Sequence, residues 1–122
     1  MIEAYTLASL LTALRGKQLS PREVAEACLA RIRDWQPAIN AFIAIEADDA
    51  LAAADKGRSG ALAGVPLAHK DMFYRPGAPV TCGSSIRRNW VPDYTATVLE
   101  RLDAAGAVTV GALNMSEFAN GP

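Results

Sequence analysis

The sequence predicts an α/β fold, and three observations carry that prediction. Two β-biased apolar runs, Val65–Asp71 and Ala107–Leu113, flank an amphipathic segment, Thr95–Ala105, which makes a βαβ unit at about 65–113. Two amphipathic helical patterns joined by a short turn precede it, forming a helical hairpin at about 6–36. The chain has 122 residues, 51% of them apolar and 20% charged, which is enough for one small globular core.

The first helix is expected from Leu7, Leu10, Leu11 and Leu14, which recur at helical spacing before Gly16. Ser20-Pro21-Arg22-Glu23 is a start signal for the second. Ser20 caps, Pro21 suits the first helical position, and Glu23 reaches back to complete a capping box. Val24, Ala27, Cys28, Ile32 and Trp35 form its apolar stripe, and Pro37 is expected to close it. Ala41–Ile45 is apolar and rich in β-formers, so it is assigned as a strand. The alanine-rich stretch Glu46–Lys56 is assigned as a helix, with Asp48 and Asp49 near the positive end of its dipole.

Gly57 and Gly60 loosen the connection to the Val65–Asp71 strand. Residues 72–94 then lack periodicity and are punctuated by Pro76, Gly77, Pro79, Gly83, Asn89 and Pro92. A loop of this length, following the carboxyl end of a candidate parallel strand, is where α/β proteins place their sites. Val98, Leu99, Leu102 and Ala105 form the stripe of the next helix, and Gly106 suits the position just past its end. Joined through this helix, the two strands are expected to be parallel. Ser116 is then expected to cap a further helix, with Glu117 in its first turn. Two parallel strands need neighbours on both sides and cover on both faces. Residues 1–122 are therefore expected to form a single partial domain, the first part of a larger α/β protein.

Lys70 is the residue with the clearest chemistry. Alternation along its strand puts it on one face with Ala68 and Met72, with no carboxylate on that face. A lysine in such a place loses hydration, and a dehydrated lysine is a base. The residues alone also fit an edge-strand lysine that snorkels to water or pairs with a carboxylate. His69 and Asp71 lie on the opposite face, as a packed histidine and a strand-end cap or ion pair. Thr81, Gly83 and Ser84 are candidates to line a substrate cleft, with a simple tight turn at Gly83 as the alternative.

Several classes of function find no support. The net charge is −1, with no basic run longer than Arg87-Arg88, so neither nucleic acid nor an anionic membrane is expected as a partner. No apolar stretch is long enough to span a bilayer, and no secretory signal opens the chain. Cys28 and Cys82 have no metal-ligand or disulfide spacing, and a single histidine argues against a metal site. A reducing, cytoplasmic setting without cofactor is expected. The βαβ unit lacks the glycine pattern of a dinucleotide or phosphate loop.

Leu62-Ala63-Gly64-Val65-Pro66-Leu67-Ala68-His69-Lys70-Asp71 resembles the amidase signature family, as does Val80-Thr81-Cys82-Gly83-Ser84. The stretches Tyr94–Ala107 and Asn114-Met115-Ser116-Glu117-Phe118-Ala119 resemble the family's next helix, strand and turn. The segments around Ser20-Pro21-Arg22-Glu23 and Ile39-Asn40-Ala41-Phe42 match as well, so the resemblance covers nearly the whole chain in order.

The resemblance implies a fold, the amino-terminal portion of a mixed sheet sandwiched by helices. It also implies a reaction at carboxamide C–N bonds through a Ser-cisSer-Lys triad. Lys70 matches the triad lysine. In that role it accepts a proton from a bridging serine, which deprotonates the nucleophilic serine. Both serines belong to a Gly/Ser-rich segment that this chain lacks, so the isolated chain is expected to be inactive. The partner implied is a small amide substrate, with a homodimer or an amidotransferase complex for the full-length protein. The alternatives are the A subunit of a tRNA-dependent amidotransferase, or a non-catalytic binding module.

Overall fold

A single strand, β3 (Val108–Leu113), organises the molecule. The computed structural model describes residues 2–121. β3 lies between β1 (Phe42–Ile45), antiparallel to it, and β2 (Pro66–Lys70), parallel to it. Among the described residues four α-helices accompany the sheet: α1 (Leu7–Arg15), α2 (Pro21–Ile39), α3 (Ala47–Asp55) and α4 (Thr97–Ala104). β2, α4 and β3 form the expected βαβ unit, with the expected parallel pairing.

The core follows from these placements. Ala50 of α3 meets Val108 and Val110 of β3, and all three are buried. Cys28, Leu29 and Ile32 of α2, Phe42 of β1 and Ala68 of β2 close around them. The small Ala50 lets α3 lie close on the sheet, and the β-branched valines suit a strand covered by helices. α2 packs on α3 and the sheet more extensively than on α1, so the expected hairpin partner is not its main support. Burial pushes the Cys28 thiol above its ordinary range.

Both ladders are irregular. The β2–β3 register shifts between Leu67 and Ala68, and the β1–β3 register shifts between Phe42 and Ala44. Gly111 permits the second close approach: a Cβ there would lie 2.2 Å from the Ala44 carbonyl oxygen. No side chain fits that gap, so hydrogen is the only substituent position 111 tolerates.

The helix starts follow the sequence closely. Ser20 N–H donates to the Glu23 carboxylate at 2.7 Å, and Glu23 N–H donates to Ser20 Oγ at 3.1 Å, completing the capping box. Gly106 lies just past the end of α4 with φ 91°. Two expectations change. Pro37 does not close α2, which runs to Ile39 and stops at Asn40 with φ 45°. Proline removes one donor, but the turn around it still closes, because Asn40 N–H donates to the Gln36 carbonyl at 2.8 Å. Nor does Ser116 cap an α-helix. Only a 3₁₀ turn, Glu117–Ala119, follows it, and the Ser116 side chain makes no cap bond. Phe118 and Ala119 have positive φ, 48° and 57°, which right-handed helix geometry does not permit.

Candidate functional site

The carboxyl ends of β2 and β3 lie side by side, because Lys70 pairs with Leu113 across the parallel ladder. The loops leaving these two ends meet and form the candidate site. Alternation along β2 sends neighbouring side chains to opposite faces, and burial follows it: His69 is 8% exposed and Asp71 is 4% exposed, whereas Lys70 between them is exposed. The expected dry environment for Lys70 is therefore absent among the described residues. The physical reason is the strand order. β2 is an edge strand of the three-stranded sheet, and its outer side is uncovered.

Asp71 is bound on every side. Its N–H donates to the Leu113 carbonyl at 3.0 Å, and its carbonyl accepts from Cys82 N–H at 2.8 Å. Its carboxylate accepts from Thr81 N–H at 3.0 Å and from the Thr81 hydroxyl. A buried carboxylate requires such donors. The loop at Thr81–Ser84 is thereby pinned beside the residue that follows Lys70. His69 uses one nitrogen the same way: Nδ1–H donates to the Lys70 carbonyl at 3.1 Å, and Nε2 has no partner among the described residues.

The three cleft candidates have different roles in the geometry. Thr81 spends its hydroxyl on Asp71 and accepts from Gly83 N–H at 3.2 Å. Ser84 is 3% exposed. Its Oγ–H donates to Glu117 Oε1 at 2.6 Å, and its Oγ accepts from Ile86 N–H at 3.2 Å. Both hydroxyls are thus committed to partners outside the loop, Thr81 to Asp71 and Ser84 to Glu117. Gly83 alone of the three presents an exposed backbone. It has φ 69°, and a Cβ there would meet the Met115 carbonyl oxygen at 2.6 Å.

The rest of the long loop is held by contacts that local pattern does not reveal. Val80 N–H donates to the Trp90 carbonyl at 3.0 Å, closing the loop on itself. The Arg87 guanidinium lies 3.7 Å from the Trp90 ring centroid and donates to the Tyr74 hydroxyl. That hydrogen bond is the main cause that raises the Arg87 pKa above its usual range. Arg75 forks onto the Glu46 carboxylate, tying the loop to the end of β1. A cleft of about 310 Å³ opens beside His69 and Asp71, lined also by Arg75, Val80, Thr81 and Arg88.

Sequence reasoning missed Glu117 as a partner of the loop. Ser84 and Glu117 are 33 positions apart, and no periodic signal links them. Asn114 ties the end of β3 to the turn before β1: its N–H donates to the Ala41 carbonyl and its Nδ2 to the Asn40 carbonyl, both at 2.8 Å. Among the described residues no helix is long and apolar enough to cross a membrane.

Comparisons with known proteins agree on one kind of relative. The family model described as Amidase matches residues 23–122. The A subunit of glutamyl-tRNA(Gln) amidotransferase from Pseudomonas aeruginosa is 48% identical over 128 residues, covering 99% of this chain and 26% of that protein. Its counterpart in Acidothermus cellulolyticus is 44% identical, covering 95% of this chain and 25% of that protein. Among solved structures, the native peptide amidase of Stenotrophomonas maltophilia superposes with a TM-score of 0.85 at 30% identity, over 98% of this chain and 26% of that one. A chain from an inhibitor-bound vestigial complex, tied to the origins of an s-triazine catabolic enzyme, gives a TM-score of 0.89 at 35% identity. It is matched over 96% of this chain and 28% of its own length. The chain thus spans about 26% of the length of the curated relatives it matches.

Proposed function

The chain belongs to the amidase family, and from that membership we propose that it supplies the lysine-bearing quarter of an enzyme that cleaves carboxamide C–N bonds. The observation that carries the reading is the position of Lys70. It stands at the carboxyl end of a parallel strand, beside a loop that Asp71 and Thr81 pin in place.

In this reading Lys70 is the proton acceptor of a Ser-cisSer-Lys triad. It takes a proton from the bridging serine, which takes one from the nucleophilic serine. The nucleophile attacks the amide carbonyl, and the amine leaves with the proton that Lys70 returns through the bridging serine. Water, deprotonated by the same route, then hydrolyses the acyl-enzyme. A lysine serves as a base only where burial removes water from its amine. The remaining three quarters of the enzyme supply that burial and both serines. In this reading Gly83 offers its exposed backbone to the substrate beside Lys70, apart from the opening next to His69 and Asp71, while Thr81 and Ser84 hold the turn that carries it. With two cysteines that form no disulfide, the enzyme belongs in a reducing compartment such as the cytosol.

The test uses the full-length enzyme, which is this chain joined to the remaining length found in its relatives. It is expected to release ammonia from a primary carboxamide, and Lys70→Ala is expected to abolish that release. Retained turnover in the Lys70→Ala enzyme overturns the reading.

A second reading is favoured by the 48% identity to the A subunit of an amidotransferase. There the released nitrogen passes to a charged tRNA through partner subunits. Co-expression with such subunits separates the two: copurification supports the amidotransferase, and its absence supports the stand-alone amidase.

A further inference from the structure

We infer that Glu117 is a positioning residue for the proposed amide cleft, acting through Ser84 on the turn that flanks Lys70. The inference rests on the amidase reading and assigns a role within the same site.

The turn is costly to hold. Cys82 and Gly83 both have positive φ, 52° and 69°. For cysteine that conformation is disfavoured and persists only when its surroundings over-determine it. The facing turn is similarly strained, at Phe118 and Ala119. Of the five non-glycine residues with positive φ among those described, three thus lie at this one end of the sheet.

The two turns fix each other. Phe118 N–H donates to the Cys82 carbonyl at 2.7 Å, and the Met115 carbonyl backs Gly83. The side-chain link between them is Ser84 Oγ–H to Glu117 Oε1 at 2.6 Å. A hydroxyl donating to a carboxylate is a strong hydrogen bond. Ser84 is almost wholly buried while Glu117 is exposed, so losing this acceptor replaces a charge-assisted bond with at best one to water and unties the two turns.

Contacts run without a break from Lys70 to Glu117. Asp71 follows Lys70, holds Thr81 through its carboxylate and Cys82 through its carbonyl, and Ser84 closes on Glu117. Removing Glu117 frees the far end of this series. The exposed Gly83 backbone then samples several positions, and a substrate must select one of them. The expected signature is weaker substrate binding rather than a slower chemical step.

The experiment compares Glu117→Ala, Glu117→Gln, Ser84→Ala and the Ser84→Ala/Glu117→Ala pair in the full-length enzyme, with propionamide as substrate. Hydrogen exchange at residues 81–84 is followed in parallel. Glu117→Ala is expected to raise KM about tenfold with kcat within about twofold, and to speed exchange at 82–84. Glu117→Gln keeps an oxygen acceptor and is expected to restore both values. The pair is expected to be no worse than Glu117→Ala alone, because the two residues act as one unit.

Unchanged exchange in Glu117→Ala overturns the inference whatever the kinetics. Faster exchange with unchanged KM in an active enzyme overturns the positioning role and leaves a structural clamp. A wild-type enzyme that turns over no carboxamide overturns the amidase reading, and with it the role assigned to Glu117. Wild-type turnover with an indifferent Glu117→Ala variant overturns the inference alone.

Discussion

The Gln36 side chain satisfies both backbone polar groups of Phe42. Its Nε2 donates to the Phe42 carbonyl at 2.8 Å, and its Oε1 accepts from Phe42 N–H at 3.0 Å. One amide thus stands in for the neighbouring strand that β1 lacks at its first residue. Gln36→Leu keeps the helix-forming character of the position but removes both bonds. The full-length enzyme is expected to lose about 1–2 kcal/mol in denaturant unfolding, with an unchanged m-value. An unaltered midpoint would show that water replaces the amide at no cost.

Lys70 projects from an edge strand and is exposed, so its own quarter of the enzyme does not depend on it for packing. Lys70→Arg keeps the charge and the length. It is nonetheless expected to reduce turnover nearly as far as Lys70→Ala, because a guanidinium does not release its proton near neutral pH. Melting temperatures of both variants are expected to fall within a few degrees of wild type. Substantial activity in the arginine enzyme would take proton acceptance away from this position.

Gly83 is boxed in by backbone rather than by flexible side chains. Gly83→Ala brings a methyl group against the Met115 and Ser116 carbonyl oxygens, on top of an unfavourable φ. A destabilisation of about 2 kcal/mol or more is expected, since neither carbonyl can swing aside cheaply. Calorimetry of the full-length enzyme checks this, and a neutral substitution would mean the turn relaxes more readily than its contacts suggest.

The capping box of α2 makes the start of that helix sensitive to acid. Hydrogen bonds from the Ser20 backbone and hydroxyl hold the Glu23 carboxyl below its ordinary value of 4.5. A depressed carboxylate pKa contributes stability that is fully present above the unfolded value. That contribution is lost as pH falls through the lower folded value. Between pH 5 and pH 3 the wild-type melting temperature is expected to drop faster than that of Glu23→Gln, which has no carboxylate to protonate. Parallel pH profiles for the two proteins would dissociate Glu23 from acid sensitivity.

Local pattern made the helices, the strands and the βαβ order legible. Capping boxes, glycine stops and two kinds of periodicity act over a few residues, which is why Ser20 with Glu23 and Gly106 behave as the sequence predicts. Lys70 was locatable because its motif is contiguous. Its exposure stays open in the sequence, between a dehydrated base and an edge-strand lysine, since alternation identifies a face but says nothing about which strand lies at an edge; the structure has the edge-strand placement. Likewise Glu117 meets Ser84, and Arg75 meets Glu46, only after the sheet has brought distant segments together. The turn at Ser116 shows the same limit from the other side. A good cap residue is present, but the positive φ values at Phe118 and Ala119 serve the facing turn instead of a helix.

The contact between position 111 and the Ala44 carbonyl also constrains heredity. Any missense codon change at glycine 111 adds at least one carbon where none fits, so a lineage carrying such a change must also have moved β1 away from β3. Natural variants at this one site therefore serve as a gauge of how far the two strands have drifted apart over descent.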